Sequence, residues 1–275
     1  MSGFLDAQRT HDFALTGFDD DTTTRALLSG AFFMVAFFVV LSPAYFADTR
    51  VLEGANVWLK PQKFAISLFV HFITLAVLAQ LLPRRVRTGP SLAIATYLAI
   101  GSLVLEAVYV SVQAARGRRS HFNFETTFEA SMYAAMGLGA VLLVLVAIVL
   151  GVQIWRKGEA SAGLKTGAAV GLIIGAVATL VMAGYMSASG SRWVGAHPIG
   201  GGVVPVFGWS REVGDLRPAH FVSMHMMQTL PLIGWAADRL RAPGVIIVWA
   251  AALAQLALAG FLFWQALQGR PFSPA

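Results

Sequence analysis

Seven stretches of mainly apolar sequence leave this chain almost nothing else to fold with: 26–45, 58–82, 91–113, 124–155, 166–187, 218–237 and 245–267. Each is near the twenty or so residues that a helix needs to cross the hydrocarbon core of a bilayer. Inside that core every backbone N–H and C=O must be satisfied within the segment, which a helix does by itself. The expectation is therefore an all-α, polytopic transmembrane helix bundle of seven spans over 26–267, with a polar N-terminal tail at 1–25 and a C-terminal tail at 268–275. Composition agrees. Of the 275 residues 57% are hydrophobic and 12% charged, about half the charge of an average soluble domain. The surplus apolar side chains face lipid, in a cell membrane, and no room remains for a separate soluble catalytic domain. The first apolar run is too long for a signal sequence and is read as a retained helix.

The chain has no cysteine, which excludes disulfides, thiolate metal sites, iron–sulfur clusters and thiol nucleophiles. Its net charge of +6 resides in short loops between apolar segments. That suits contact with anionic lipid and not with nucleic acid. Pro61 and Pro218 stand where proline opens a helix, and Asp215 is placed to cap the sixth span. Trp58, Trp155, Trp235 and Trp264 fall near span ends, as interfacial anchors do. Gly167, Gly171 and Gly175 recur every four residues, a pattern for close helix packing. No internal repeat is visible, which argues against a transporter built from inverted halves. The connector at 188–217 is long and rich in Gly, Pro and Trp, and is read as a lid folded on the bundle mouth.

Seven crossings put connectors one, three and five on one side of the membrane. The distinctive residues gather there: Lys60-Pro61-Gln62-Lys63-Phe64 after the first, Arg118 to Asn123 in the third, and His197-Pro198 with Asp215 to Phe221 in the fifth. The other side carries Arg84, Arg85, Arg87, Arg156, Lys157, Lys165, Arg239 and Arg241, read as solvated, headgroup-facing charge. Lys and Arg divide evenly between the two sides, so charge does not orient the chain. At about 100° per residue, Lys60, Lys63, Ser67, His71 and Thr74 share a stripe of the second span. Ser102, Glu106, Tyr109 and Gln113 share one of the third, and Glu125, Glu129, Tyr133 and Met136 one of the fourth. His220, Met224, His225 and Gln228 occupy about half of the sixth. Ionisable groups within a bilayer turn to the bundle interior and find partners, so these stripes predict a polar funnel opening toward connectors one, three and five.

Each residue has two readings. Glu106 either pairs with Lys63 or an arginine to fix packing, or holds a proton. His71 is either a hydrogen-bonded core histidine or a ligand. His220 and His225, five apart, splay by about 140°, which makes a poor pair for one small ion. His121 and His197 are interfacial unless their loops fold inward. Lys60, Lys63, Arg118 and Arg217 are either anion clamps or headgroup contacts.

The segments Lys-Pro-x-Lys-Phe at Lys60, Arg-x-Ser-His-Phe-Asn around His121, and Asp-Leu-Arg-x-x-His-Phe running on to His225 and Gln228 resemble a set of uncharacterised bacterial multi-span membrane proteins. That resemblance covers most of the chain and implies no activity. Two other seven-span families fit less well. The alkaline ceramidase and adiponectin-receptor group places His-x-x-x-His on one helix, one residue shorter than His220 to His225. Microbial rhodopsins attach retinal to a lysine of the last helix, and the last span here has none.

Three functional classes remain. In the first, a haem-binding protein handles electrons or a quinone. Haem b is held by His71 and His225, with Lys60, Lys63 and Arg217 at the propionates and Gln228 nearby. In the second, a membrane hydrolase uses a divalent metal such as zinc on His121, His220 and His225, with Glu106 or Glu129 moving a proton from bound water. In the third, a carrier or sensor binds a small anionic or lipophilic ligand in the cationic funnel, with Glu106 or His71 as a proton switch. Membrane lipids are the expected partners in all three, and assembly into an oligomer is open.

Overall fold

A computed structural model describes residues 18–195, 197–200 and 202–273; most of the expected N-terminal tail lies outside them. The chain divides into two compact units, Met1–Glu159 and Ala160–Ala275, and both are helical. The first contains α1 (Thr22–Ala47), a two-residue hairpin β1 (Val51–Leu52) and β2 (Ala55–Asn56), α2 (Leu59–Ala79), the single turn α3 (Arg84–Arg87), α4 (Pro90–Ala115) and α5 (Thr127–Lys157). The second contains α6 (Ala162–Ala188), the paired strands β3 (Trp193–Val194) and β4 (Gly214–Asp215), α7 (Arg217–Arg239) and α8 (Gly244–Leu267).

Six of these helices, α1, α2, α4, α5, α6 and α8, are long and apolar enough to cross a membrane. The expected seven apolar spans are thus six. The exception is α7, which at 23 residues is long enough. Its sequence is broken by His220, Ser223, His225, Gln228, Thr229 and Asp238, so it lacks the hydropathy of the others.

In the first unit α1 packs on α2 and α4, and α5 on α4 and α2. The start of α1 precedes the apolar run because Asp21 caps it. The Asp21 carboxylate accepts from the Thr24 amide and hydroxyl, both at 2.9 Å. The same carboxylate receives the Arg87 guanidinium at 2.6 Å, Arg87 also pairs with Asp19, and its remaining edge donates to the Leu82 carbonyl at 3.1 Å. Arg87 is only 1% exposed. The reading of Arg87 as solvated charge is therefore corrected: this arginine locks the start of α1 to the turn between α2 and α4.

In the second unit α6 and α7 run antiparallel in close contact. Asp238, near the end of α7, accepts from the Gly163 and Leu164 amides at the start of α6, at 3.0 and 2.8 Å. Further along, a Cβ at Gly171 would lie 2.6 Å from the Met226 carbonyl oxygen, and one at Gly167 would meet the Leu230 carbonyl oxygen still more tightly. The glycine spacing does bring two helix backbones together. The described residues of the 188–217 connector are folded. Trp193 pairs with Asp215 across β3 and β4, and a second hairpin is closed at Val203 and Ser210. Leu216, not Asp215, occupies the cap position of α7, but the Asp215 carboxylate still accepts from the Arg217 amide at 3.0 Å.

Candidate functional site

At one end of the first unit the first and third connectors meet. The Asp48 carboxylate accepts from the Arg50 guanidinium at 2.7 Å and the Trp58 indole at 2.8 Å, and Arg50 donates to the Ala115 carbonyl at the end of α4 at 3.0 Å. Hydrogen bonds from Arg50 and Trp58 hold the Asp48 carboxyl well below the usual carboxylate range. Lys60 and Lys63 stand half-buried in the first turns of α2.

Behind them Glu129, on the first turn of α5, is buried and fully engaged. Arg118 reaches its two oxygens at 2.5 and 2.7 Å, and Thr126 and Gln113 donate to it as well. Arg118 also meets Glu125 at 2.7 Å. The Glu129 carboxylate raises the Arg118 guanidinium above its ordinary pKa by hydrogen bonding. Both residues thus brace the α4–α5 connector. His121 turns inward, edge-on to Phe64 at 5.7 Å and near Tyr133 at 6.0 Å. It is held among rings, and the next residue, Phe122, has a left-handed φ of 52°.

Deeper in the unit, the α4 stripe behaves as its phase predicts: Ser102, Glu106, Tyr109 and Gln113 are all buried. The α2 stripe does so in part, for Ser67 is exposed. Glu106 lies against α5 at Gly139, where a Cβ would come within 3.1 Å of Oε1. That oxygen is buried and has no hydrogen-bond partner. His71 reaches the same helix: its Nε2–H donates to the Leu143 carbonyl at 2.9 Å. Gly139 and Leu143 are one helical turn apart, roughly 18 and 24 Å along a helix about 46 Å long. Two ionisable side chains, from α2 and α4, therefore each meet α5 near its middle, on successive turns.

In the second unit Arg217 is clamped on Asp215, with one contact at 2.5 Å, and donates to the Gly208 carbonyl at 2.7 Å. His220 hydrogen-bonds the Thr179 backbone, while its Nδ1 and the Thr179 hydroxyl are buried without partners. His225 Nδ1–H donates to the Phe221 carbonyl one turn back at 2.8 Å, and its ring stacks on Phe221 at 3.9 Å. Gln228 is half-buried one turn beyond Met224. Among the described residues, no group of three His, Asp or Glu side chains comes together to hold a metal ion.

The structure thus sets Glu106 against Gly139 and His71 against Leu143 of α5, and keeps His220 and His225 on α7. It commits Arg118, Glu129 and Arg217 to intramolecular ion pairs. Sequence reasoning missed Gly139, whose absent side chain makes room for Glu106; a glycine facing a buried acid is its only signal. No protein-family model, curated protein or solved structure matches the chain.

Proposed function

We propose that this is a seven-span cell-membrane protein, a carrier or sensor that binds a small anion in proton-linked fashion. Glu106 and His71 are its proton-holding groups, and Lys60 and Lys63 guard the approach. The observation that carries the reading is that Glu106 and His71, from two different helices, each meet α5 near its middle on adjacent turns. An ionisable residue at that depth is costly and is kept for function by default. A seventh crossing is supported by α7 lying antiparallel along α6 from Gly163 to Gly175, and by Thr229 spending its hydroxyl on Gln255 of α8 at 2.7 Å. Membership of the bacterial multi-span family belongs to the same proposal.

The test is thermal stability in detergent with phosphate, short monocarboxylates or alkyl sulfonates, at acidic and alkaline pH. At least one anion stabilises the wild type, by an amount that changes with pH, and in Glu106→Gln the pH dependence is gone. No stabilisation by any of these anions, or an unchanged pH dependence in the variant, overturns the reading.

A second reading is favoured by His225. Its Nδ1–H is held by the Phe221 carbonyl, which puts the lone pair on Nε2, the tautomer a haem or metal ligand needs. Protein purified from haem-replete cells then shows a Soret band that His225→Ala abolishes. A colourless wild type removes this reading.

A further inference from the structure

The hairpin closed by Val203 and Ser210 carries a strained piece of backbone. The Val204 amide bonds the Trp209 carbonyl and the Gly208 amide bonds the Val204 carbonyl, each at 2.8 Å. At the tip the Phe207 amide turns straight back to the Pro205 carbonyl, also at 2.8 Å. That closes a three-residue turn around Val206, whose φ is 67°. This is the strained hand of the γ-turn, and a β-branched side chain is among the least suited to it. Glycine, with no Cβ, would fit with less strain.

The valine does not repay the strain by packing, for it is 85% exposed. Ile199, held close by its amide's bond to Glu212 at 2.6 Å, is 95% exposed, and Val203 is exposed as well. A strained turn that presents apolar side chains outward points to a surface that receives them.

The depth of this hairpin says which surface. Gly214, in the strand that follows it, sits directly on the Ala266 carbonyl in the last turn of α8. Trp209 packs edge-on against Phe272, just past that helix, at 5.1 Å, and stacks on Phe207 at 4.4 Å. The base of the hairpin is therefore level with the end of a helix long and apolar enough to cross a membrane. The same end of α8 carries exposed Phe261 and Trp264, side chains of the kind that settle at the headgroup level. Arg192, over the Trp193 ring at 4.1 Å, adds a cation of the sort that meets phosphate headgroups.

We propose that this hairpin is an interfacial anchor, with Val206, Ile199 and Val203 resting in the boundary between headgroups and acyl chains of the lipid bilayer. It continues the lipid-facing end of α8 outward and holds the α6–α7 connector against the membrane surface. The fit is to a lipid surface rather than to a protein groove, because the apolar side chains are few and spread from Ile199 through Val203 to the tip at Val206.

The chain has no cysteine, so a single label reports alone. Val206→Cys and, separately, Ile199→Cys are labelled with the environment-sensitive fluorophore NBD. The full chain is then reconstituted into phosphatidylcholine–phosphatidylglycerol vesicles. The expected result is blue-shifted emission, quenched severalfold more by lipids with a nitroxide near the headgroup than by aqueous iodide. Quenching by iodide with no response to nitroxide lipids places the tip in water and overturns the proposal. Energy transfer between labelled copies without lipid quenching also overturns it, and assigns the tip to a second copy of the chain. Both labels replace exposed side chains at the surface, so folding is checked by comparing each thermal transition with that of the unlabelled protein.

Discussion

Replacing Gly167 by alanine lowers the stability of the second unit by about 3 kcal/mol or more, a fall in melting temperature of roughly 10 °C. The added carbon has nowhere to go. It meets the Leu230 carbonyl oxygen and then Pro231 of α7. Backbone, unlike a side chain, cannot swing aside, so α6 and α7 must separate along their length. Gly171→Ala, against the Met226 carbonyl, has the same sign. The controls are built into the chain. Gly101 and Gly260 have nothing within 4 Å of an added carbon, and alanine at either is neutral or stabilises by about 0.5–1 kcal/mol through helix propensity. Thermal unfolding of the four variants checks this. Equal transitions for Gly167→Ala and Gly101→Ala would mean that α6 and α7 do not touch as described.

Arg87→Met is expected to cost about 3–5 kcal/mol, the cost of stranding one member of a buried ion pair. The carboxylate left behind is that of Asp21, whose side chain is as buried as that of Arg87. A double-mutant cycle with Asp21→Asn separates pairing from the loss of the α1 cap, and the two single changes should be far from additive. Arg84→Ala and Arg85→Ala, at exposed neighbours, should change stability by less than about 0.5 kcal/mol.

The lock also predicts an acid limb. Burial pushes the Asp21 carboxyl up, but hydrogen bonds from the Thr24 amide, the Arg87 guanidinium and the Thr24 hydroxyl outweigh it, and the pKa stands below its ordinary 3.8. The group is depressed in the folded state. Its contribution is complete above that ordinary value and is lost as pH falls through the lower folded one. Unfolding midpoints measured down a pH series should fall in acid for the wild type, and less steeply for Asp21→Asn.

Much of the fold is legible because the bilayer requires it. Six of the seven expected spans become long apolar helices, with ends near the expected ones, since length and hydropathy leave little freedom. The α6 glycines and the buried stripe at Ser102, Glu106, Tyr109 and Gln113 follow from helical spacing alone. Arg87 was misread for a physical reason. Beside Arg84 and Arg85 it resembles headgroup charge, and the aspartate that buries it is 66 residues away, beyond any local pattern. The length of α7 suits an apolar span, but its polar residues thin its hydropathy; Asp238, which caps α6, is invisible locally for the same long-range reason. Arg118 and Arg217 read as cationic clamps because spacing shows charges and not their partners. Glu129 and Asp215, which hold them, are each close enough in sequence to have been suspected. Of the proposed site, Glu106 and His71 were nominated from phase, but not the helix that gathers them.

The proton-linked reading proposed above assigns proton binding to Glu106 and His71, each set against α5. Infrared spectra of the protein in lipid vesicles, recorded through a pH series, test it most directly. A carboxyl C=O band that titrates, disappears in Glu106→Gln and moves its midpoint in His71→Gln is the expected result. A spectrum in which no titrating band depends on Glu106, or in which the Glu106 band ignores His71, would contradict it.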